Sequence, residues 1–289
     1  MLPPSLHYAS FDNMVLLTGG TGFVGRHVLA LLLAKGLKVR VVVRDMSALS
    51  VETRSLLTDI VYTYDIFDQD VQFWEDACSG VDTVLHLAWY AEPGYYLQSP
   101  KNLECMRGTL RLAQGASRAK VRRVVGIGTC IEYDLSYGML TADTPLRPLT
   151  PYAEAKVFTF LALSHWLERH GVEFAWCRLF YLYGDGERQQ RLLPYLRSRL
   201  QAGLLAELSS GKQIRDFLDV QDAAKLIVEI TLGRHQGPLN ISSGVPITVR
   251  EFAEKVADEY GRRDLLRFGV KPDPLNDAPC IVGLRPTNT

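Results

Sequence analysis

A short apolar run near the start of the sequence breaks into glycines, and this stretch constrains the fold more than any other. It reads Val15 to Gly25 (VLLTGGTGFVG), with Gly19, Gly22 and Gly25 at three-residue spacing. The order predicts a strand, a tight turn and a helix. Gly19 and Gly22 would let the backbone approach a pyrophosphate at the helix start, and Gly25 would let the helix lie close to the sheet. Because ordinary loops also use glycine, the motif needs support from the segments that follow it.

Strand and helix patterns alternate along the first 180 residues. After the opening unit, the sequence predicts strands at 38–43, 60–64, 83–87, 123–127 and 174–179, and helices at 69–78, 100–118 and 151–169. This alternation predicts a Rossmann-type, doubly wound α/β fold, in which helices cover both faces of a parallel sheet. Ligands of such folds lie at the carboxyl ends of the strands, where the strand order reverses.

Beyond residue 180 the rhythm becomes irregular. The sequence predicts helices at 189–202, 220–232 and 248–259, and strands at 213–219 and 237–241. The final stretch, from Pro272 to Thr289, shows no periodicity and is predicted to be irregular. We therefore expect a small, mixed C-terminal lobe that closes over the ligand cleft. The predicted division is a Rossmann domain at 12–180 and an interleaved substrate-binding lobe at 181–289.

The charge balance argues against nucleic-acid and membrane partners. The 32 basic and 32 acidic side chains cancel, so the chain has no overall field that would hold a polyanion. The longest apolar run, Val28 to Ala34, is far shorter than the roughly 20 residues of a membrane span. Met1 to Ser10 lacks the charged and apolar regions of a signal peptide, which predicts the cytoplasm. Five cysteines without close pairing, and histidines without ligand spacing, predict reduced thiols and no metal site.

Tyr152 and Lys156 are four residues apart at the predicted start of a helix, in PYAEAK. Residues at this spacing share a helix face, about one turn apart. A cation beside a phenol favours phenolate, so Lys156 would lower the pKa of Tyr152 from about 10 toward neutrality and make it a general acid or base. The alternative is a surface tyrosine and a solvated lysine, because such pairs are common on any helix. Thr129, at the end of the preceding strand, favours the catalytic interpretation.

Together, the glycine stretch, Thr129 and the Tyr152/Lys156 pair resemble the extended short-chain dehydrogenase/reductase family. That family comprises NAD(P)-dependent nucleotide-sugar epimerases, dehydratases and reductases, and the resemblance extends from about residue 14 to 260. It implies that Thr129 hydrogen-bonds the substrate oxygen, that Tyr152 moves the proton, and that Lys156 holds the nicotinamide ribose.

The same resemblance implies a cofactor site. His86-Leu87-Ala88 looks like the family's motif at the fourth strand, and Asp65 looks like the acid that holds the adenine amino group. The implied cofactor-binding residues are Gly19, Gly22, Phe23, Val24, Gly25, Arg44, Asp65, Ile66, Leu87, Ala88, Tyr152 and Lys156.

Arg215, in RDFLDV, is similar to the family's arginine that grips the diphosphate of the substrate. The alternative is a structural ion pair of Arg215 with Asp216 or Asp219. Tyr181 stands where the family has an asparagine, which implies a different substrate-pocket wall near the diphosphate. The sequence also ends soon after Gly283, where the resembled family continues, and this would thin the substrate lobe.

Four aromatic residues follow the predicted fourth strand and could line a hexose site or cover the edge of the core. They are Trp89, Tyr90, Tyr95 and Tyr96. A charged turn beyond residue 183 contains Glu187, Arg188 and Arg191. These three could touch a nucleotide or form a solvated helix start.

The residues after Thr129 narrow the reaction that the resemblance implies. The family's 4,6-dehydratases place Asp and Glu directly after this threonine, and its 3,5-epimerising reductases place Cys two residues after it. Cys130 and Ile131 occupy those places, and Glu132 is displaced, so we assign it no catalytic part. Two reactions remain: reduction of a keto group, and 4-epimerisation by oxidation and re-reduction on a retained cofactor. A non-catalytic NADP-binding sensor on the same fold is the alternative from another class.

Cofactor choice separates these reactions. NAD needs an acid at the end of the second strand for the ribose 2′-hydroxyl, whereas NADP needs a cation for the 2′-phosphate. Arg44 occupies that place, with Asp45 beside it and Arg40 on the same strand. We predict NADP, with NAD possible, and NADPH-dependent reduction at C4 of a nucleotide-diphosphate deoxyhexose by a cytoplasmic homodimer. The runner-up is reduction of a smaller carbonyl compound, as in the dihydroflavonol-type reductases of the same family.

Overall fold

A computed structural model of the chain describes residues 14–273 and 277–285. Its strands are β1 (Met14–Thr18), β2 (Lys38–Val43), β3 (Asp59–Tyr62), β4 (Thr83–His86), β5 (Arg123–Thr129), β6 (Met139–Leu140), β7 (Glu173–Leu179), β8 (Tyr181–Tyr183), β9 (Ala206–Glu207), β10 (Ile214–Asp219), β11 (Gly237–Ile241), β12 (Pro246–Thr248), β13 (Leu266–Arg267) and β14 (Cys280–Gly283). Its helices are α1 (Phe23–Ala34), α2 (Val51–Leu56), α3 (Val71–Ala77), α4 (Lys101–Arg118), α5 (Pro151–Arg169), α6 (Leu192–Gln201), α7 (Val220–Leu232) and α8 (Val249–Asp258).

Seven strands form one parallel sheet in the order β11-β7-β5-β4-β1-β2-β3. Its central residues, such as Val41, Leu85 and Val125, are fully buried, because helices cover both faces. Helices α1 and α7 pack on one face, and α3, α4 and α5 pack on the other. The strand order reverses between β1 and β4, so the ligand position of a doubly wound sheet lies at their carboxyl ends. The predicted Rossmann-type fold is confirmed.

A smaller lobe forms around β10. This strand belongs to a five-stranded mixed sheet with the path β12-β10-β14-β6, and β8 also pairs with β10. Helices α6 and α8 enclose a separate apolar core with the two-stranded sheet of β9 and β13. The small mixed lobe that the sequence predicts is therefore present.

The expectation of an irregular final stretch is wrong at 280–283. This segment is β14, which lies between β10 and β6, with Ile281 opposite Arg215 and Val282 opposite Met139. Ile281 and Val282 are buried. The apolar run is too short to show a period, and the pairing that fixes it comes from distant segments. Pro274, which belongs to the same predicted stretch, lies outside the described residues.

The two lobes exchange segments. Both β11 and α7 come from beyond residue 180, yet they complete the large sheet and cover its face. The predicted boundary between 180 and 181 stays a prediction, and residues 12, 13, 274–276 and 286–289 of the predicted domains lie outside the described residues. No helix in the described ranges is long and apolar enough to cross a membrane. The five cysteines are free thiols, and four of them are buried.

Candidate active site

A cleft of about 840 Å³ opens at the carboxyl ends of the large sheet, where β1 and β4 are neighbours. Every residue predicted to bind the cofactor or to act in catalysis lies in its wall. These residues are Gly19, Gly22, Phe23, Val24, Gly25, Arg44, Asp65, Ile66, Leu87, Ala88, Thr129, Tyr152 and Lys156. Arg215 and Tyr181, predicted to bind substrate, are not among the described residues that line this cleft.

The glycine stretch forms the tight turn that its spacing predicts. Gly19 has a φ of +73°, and a Cβ atom there would lie 2.7 Å from the Ala88 nitrogen. A Cβ atom on Gly25 would lie 1.9 Å from the Gly19 carbonyl oxygen. Both distances are far shorter than a van der Waals contact, so neither position accepts a side chain without movement of the backbone. The bare backbone forms this part of the cleft wall.

The start of α1 faces the cleft and can hold an anion. Gly22 precedes the helix, no side chain caps the first turn, and the first turn contains no acid. Phe23 and Val24 line the cleft at this point. Backbone N–H groups at an uncapped helix start attract phosphate oxygens, and the helix dipole adds to that attraction. The geometry therefore fits the pyrophosphate of a dinucleotide cofactor.

Two residues of opposite charge follow β2 in the cleft wall. Arg44 is exposed and has no ion-pair partner in the part of the chain that the structure describes. Asp45 Oδ1 accepts hydrogen bonds from the Ser47 hydroxyl and backbone N–H at 2.7 and 2.8 Å, and these bonds lower the pKa of Asp45. Arg40, expected to support a cation site, instead donates to Asp59 and to two carbonyl oxygens. Arg44 is thus the available cation at the end of this strand.

A buried histidine ties the glycine stretch to β4 and α4. His86 Nδ1 lies 2.7 Å from the Thr18 hydroxyl, and Nε2 lies 2.9 Å from the Thr109 hydroxyl. Because the Thr109 hydroxyl donates to the Cys105 carbonyl, it accepts from Nε2–H, and Nδ1 accepts from Thr18. Burial lowers the pKa of His86 to about 3, so the ring is neutral. The Ala88 N–H donates in turn to the Thr18 hydroxyl at 3.3 Å.

Tyr152 lies in the first turn of α5. The helix begins where the sequence predicts, because Thr150 accepts a hydrogen bond from the Ala153 N–H and Pro151 occupies the first helical position. The Tyr152 side chain is half-buried, and its ring packs edge-on against that of Tyr96 with 4.8 Å between the ring centres. The phenol is therefore presented to the cleft from a rigid element.

The pKa of Tyr152 corrects an expectation. Burial raises this pKa above its ordinary value, and a hydrogen bond with the Thr129 side chain only partly opposes the rise. We expected Lys156 to lower it, but the Lys156 ammonium lies 5.9 Å from the centre of the Tyr152 ring and bonds another partner. The phenol keeps its proton at neutral pH, which suits a proton donor.

Lys156 lies one turn further along α5 and is 3% exposed. Its Nζ donates to the Ile127 carbonyl oxygen at 2.6 Å and lies 3.7 Å from the centre of the Trp89 ring. Burial lowers the pKa of Lys156 to about 7. This side chain can therefore change protonation state near neutral pH.

The acid nearest to Thr129 in sequence lies behind the cleft. The buried Glu132 carboxylate accepts hydrogen bonds from the Thr129 N–H at 2.8 Å, from Trp176 Nε1 at 3.1 Å and from Arg178 Nε at 2.7 Å. Both carboxylate oxygens therefore accept hydrogen bonds from within the protein, and the assignment of no catalytic part to Glu132 stays a prediction. Cys130 is also buried, and burial raises the pKa of its thiol to about 12.

Arg215 and Tyr181 lie together in the smaller lobe, with 5.3 Å between the guanidinium carbon and the ring centre. The Arg215 side chain is buried and donates to Asp277 at 2.5 Å. Asp216 and Asp219, the partners named in the structural alternative, do not bond Arg215, because Asp216 accepts from backbone N–H groups of 243–244 and Asp219 caps α7. The true partner lies far along the chain, where no local pattern indicates it. Substrate binding by Arg215 and Tyr181 stays a prediction.

The charged turn at 184–191 contributes to the cleft wall. Arg188 forms an exposed ion pair with Glu92, which belongs to the segment after β4. Arg191 Nε lies 3.5 Å from Glu187 Oε1, whose carboxylate is nearly buried. The two cations thus lie in the wall of the cleft, and the exposed Arg191 also stands at the start of α6.

Three of the four aromatic residues after β4 line the cleft, namely Trp89, Tyr90 and Tyr96, whereas Tyr95 is 71% exposed. The contact of Trp89 with Lys156 escaped the sequence reasoning. The sequence shows four aromatic residues after β4, but it does not indicate which ring lies against Lys156.

Comparison with known proteins places these features in context. A family model described as the NAD dependent epimerase/dehydratase family matches residues 15–242. The chain is 26% identical over 274 residues to dTDP-6-deoxy-L-talose 4-dehydrogenase (NAD(+)) of Aggregatibacter actinomycetemcomitans. The matched region covers 94% of this chain and 99% of that protein.

Two solved structures share the fold. UDP-N-acetylglucosamine 4-epimerase of Methanobrevibacter ruminantium, in complex with UDP-N-acetylmuramic acid, has a TM-score of 0.81 at 22% identity, with 95% of this chain and 90% of that chain covered. UDP-glucose 4-epimerase of Thermus thermophilus, in complex with NAD, has a TM-score of 0.79 at 23% identity, with 94% and 90% covered.

Proposed function

Because this chain belongs to the NAD dependent epimerase/dehydratase family, we propose that it reduces the C4 keto group of a nucleotide-diphosphate deoxyhexose. The family and the relatives establish the coarser statement: the chain is an NAD(P)-dependent enzyme related to nucleotide-sugar dehydrogenases, dehydratases and epimerases. The choice among these reactions is our proposal.

The observation that carries the proposal is the engagement of Glu132 behind Thr129. Dehydration and 3,5-epimerisation move protons at ring carbons, and they need an ionisable side chain that reaches the sugar. Glu132 is held by Thr129, Trp176 and Arg178, and the Cys130 thiol is buried with a raised pKa. Hydride transfer at a single carbon needs neither group.

The cleft residues have suitable chemistry for carbonyl reduction. When bound, the dinucleotide would supply the hydride. The Thr129 hydroxyl would hold the carbonyl oxygen of the substrate, and Tyr152, which keeps its proton, would donate that proton to the same oxygen. Lys156, which lies one turn further along α5 in the same cleft wall, would hold the nicotinamide ribose.

The substrate class rests on a relative and on the cleft wall. The relative named a dTDP-6-deoxy-L-talose 4-dehydrogenase supports redox chemistry at C4 of a deoxyhexose. Trp89 and Tyr96 lie beside Tyr152, with ring-centre distances of 6.4 and 4.8 Å, and such rings pack well against an apolar methyl group. Arg188 and Arg191 supply local positive charge for a diphosphate in a chain without net charge.

Isotope transfer tests the reaction. The protein is incubated with dTDP- or UDP-4-keto-6-deoxyglucose and with NADPH or NADH that carries deuterium in the transferable position. We expect the product to gain one deuterium, and proton NMR to place it at C4. The Tyr152→Phe variant is the matched control for non-enzymatic transfer. Turnover of these sugars without deuterium in the product would contradict net reduction.

The second candidate is a 4-epimerase with a retained cofactor, favoured by the two 4-epimerase structures that share the fold. An epimerase would interconvert UDP-glucose and UDP-galactose, or the dTDP sugars, without added cofactor and without uptake of deuterium. If UDP, dTDP, GDP and CDP all fail to bind, a smaller carbonyl substrate becomes the better proposal. Cofactor binding without turnover of any carbonyl compound would favour the sensor.

We propose NADP(H) as the preferred cofactor, with NAD as the alternative that the names of the relatives support. Arg44 is available for a 2′-phosphate, whereas one oxygen of Asp45 already bonds Ser47. Loss of one charge-assisted phosphate contact is worth about 1.5–3 kcal/mol, or roughly 10- to 150-fold in affinity. We therefore expect Arg44→Asp to weaken NADPH binding by this factor in a fluorescence titration and to spare NADH. Lys35→Asp, with the same charge change at the far end of α1, should alter neither affinity.

We also propose a cytoplasmic homodimer. Leu103 on α4 and Phe158 and Leu161 on α5 are exposed by 63%, 58% and 43%, on helices that pack side by side. We propose that these apolar side chains contribute to a contact between two copies of the chain. Phe158→Asp should yield monomers in light scattering, whereas Val270→Asp, at an exposed apolar site in the other lobe, should not. The free thiols support a reducing compartment.

A further inference from the structure

Trp89 is fixed in the cleft wall by a hydrogen bond at its ring nitrogen. Its Nε1–H donates to Asn102 Oδ1 at 2.9 Å. Asn102 is 1% exposed and is itself held, since its Nδ2 donates to the carbonyl oxygens of Tyr96 and Ser99 at 2.6 and 2.9 Å. The indole therefore has a set orientation, with one face turned to the interior of the site.

That face meets the Lys156 ammonium, 3.7 Å from the ring centre. An ammonium has three donors, and the one acceptor that it bonds among the described residues is the Ile127 carbonyl. No carboxylate forms an ion pair with it in the described ranges, because Glu132 is held by Arg178. Cation–π attraction is strongest at such a desolvated site, and tryptophan has the best ring for it.

The ionisable groups that face Lys156 come from four elements. They are Glu132 in the turn after β5, Cys105 on α4, His86 on β4 and Tyr152 on α5. Cys105 and Tyr152 are neutral because burial raises the pKa of each, and His86 is neutral because burial lowers its pKa. After the Ile127 carbonyl oxygen, the Trp89 ring is the closest group that favours the charged form of Lys156, and the Glu132 carboxylate raises the Lys156 pKa without an ion pair.

We propose that Trp89 is a positioning residue whose ring orients the Lys156 ammonium and keeps it charged. The catalytic part of this proposal rests on the proposed function, since it needs Lys156 to hold the nicotinamide ribose. Tyr90, the next residue, provides the contrast, because its ring faces the exposed Lys101 at 4.9 Å and does not contact Lys156. Tyr90 thus lines the cleft without giving Lys156 electrostatic support, whereas Trp89 places its ring face against the Lys156 ammonium.

The first test observes Lys156 directly, without substrate. The protein is labelled with [ε-¹³C]lysine, the buried signal is assigned by its loss in Lys156→Met, and it is titrated by NMR. We expect a midpoint near 7 in the wild type. Trp89→Leu, which keeps apolar bulk but removes the π face, should lower the midpoint by about one pH unit, and Trp89→Phe should give an intermediate value. Tyr90→Leu should leave it in place.

A midpoint that stays or rises in Trp89→Leu overturns the proposal. If that variant does not fold, Trp89→Phe alone decides, because an unchanged midpoint there has the same meaning. The titration needs no turnover, so it stands even if the proposed reaction fails.

The second test is the pH profile of kcat with whichever 4-keto sugar the wild type reduces. Trp89→Leu should move the alkaline limb to lower pH, with partial rescue in Trp89→Phe, while Tyr90→Leu should change KM without moving the limb. A Trp89→Leu enzyme with raised KM and an unmoved limb would show that the ring serves only as part of the sugar wall, against the proposal.

Discussion

The glycine turn at 18–25 and the arginine turn at 184–191 line the same cleft, but they are held in different ways. The glycine turn is shaped by close backbone contacts, such as that of Gly25 with the Gly19 carbonyl, and by the buried His86 behind it. The arginine turn is held by charge, through the exposed pair of Arg188 with Glu92 and the pair of Arg191 with Glu187.

This difference between backbone contact and ion pairing indicates which parts of the cleft can adjust. Backbone contact in a dense interior has no alternative arrangement of similar energy, so the glycine turn presents one fixed surface. The Arg188–Glu92 pair is exposed, and such pairs contribute about 0–1 kcal/mol and are screened by salt, so Arg188 can exchange its partner for a ligand. The fixed glycine turn suits the pyrophosphate, which is the same in every dinucleotide cofactor. The adjustable arginine turn suits a sugar nucleotide, which can vary.

Tyr152 lines the same cleft as the two turns, and its loss should have the largest effect. Removal of a general acid lowers turnover by roughly 10²–10⁴. We expect Tyr152→Phe to lower kcat within this range and to leave NADPH affinity nearly intact, because the ring is kept and the phosphates bind elsewhere. Steady-state kinetics beside a cofactor titration measures both. Near-normal turnover would remove Tyr152 from the mechanism.

Gly25→Ala should break the fixed surface of the glycine turn. The added Cβ atom meets the Gly19 oxygen at 1.9 Å, whereas the matched Gly22→Ala change places it 3.3 Å from the same oxygen. Overpacking typically costs about 1–3 kcal/mol, or roughly 5- to 150-fold in an equilibrium constant. Dinucleotide affinity should fall by this factor in Gly25→Ala and far less in Gly22→Ala. Equal losses would mean that contact distance does not control the turn.

Exchange of an ion-pair partner for a ligand can also be tested at Arg215, which lies outside the arginine turn on the strand that pairs with Tyr181–Tyr183. Arg215→Ala should raise the Kd for UDP or dTDP by about tenfold or more, and should also lower Tm because it leaves the partly buried Asp277 unpaired. Asp277→Asn should instead tighten diphosphate binding, because it removes the competing carboxylate. If Arg215→Ala lowers Tm without weakening nucleotide binding, Arg215 is structural only.

Low pH should lower the free energy of unfolding through His86, the buried histidine behind the glycine turn. Its pKa is about 3 in the folded chain, against an ordinary value of 6.5, so the unfolded chain binds more protons between these limits. The free energy of unfolding therefore falls as pH drops below 6.5, by up to about 1.4 kcal/mol per pH unit. Denaturant titrations between pH 7 and 4 measure the slope, and His86→Gln should remove this part of it. A variant with the wild-type slope would assign the acid sensitivity to other groups.

The sequence predicts the glycine turn and the starts of the neighbouring elements well, because their determinants are local. Each of these determinants can be read within a few residues of its motif. They are the positions of Gly19 and Gly25, the cap at Thr150, and the strand ends that carry Arg44 and Thr129.

The remaining features depend on contacts between distant segments. The pairing of Arg215 with Asp277 and the strand at 280–283 require knowledge of which segments meet. The sign of the Tyr152 pKa shift depends on burial and on the direction of the Lys156 side chain, and helical spacing reports neither.

The position of β14 between β10 and β6 has a consequence for the order in which the chain assembles. The large sheet needs no residue beyond Ile241, whereas the second sheet must wait for 280–283 to pair with Arg215 and with Met139. Closure of such long loops is slow relative to local pairing, and synthesis delivers the earlier segments first. A nascent chain should therefore complete the large sheet and the glycine turn while the strand that carries Arg215 still has an open edge.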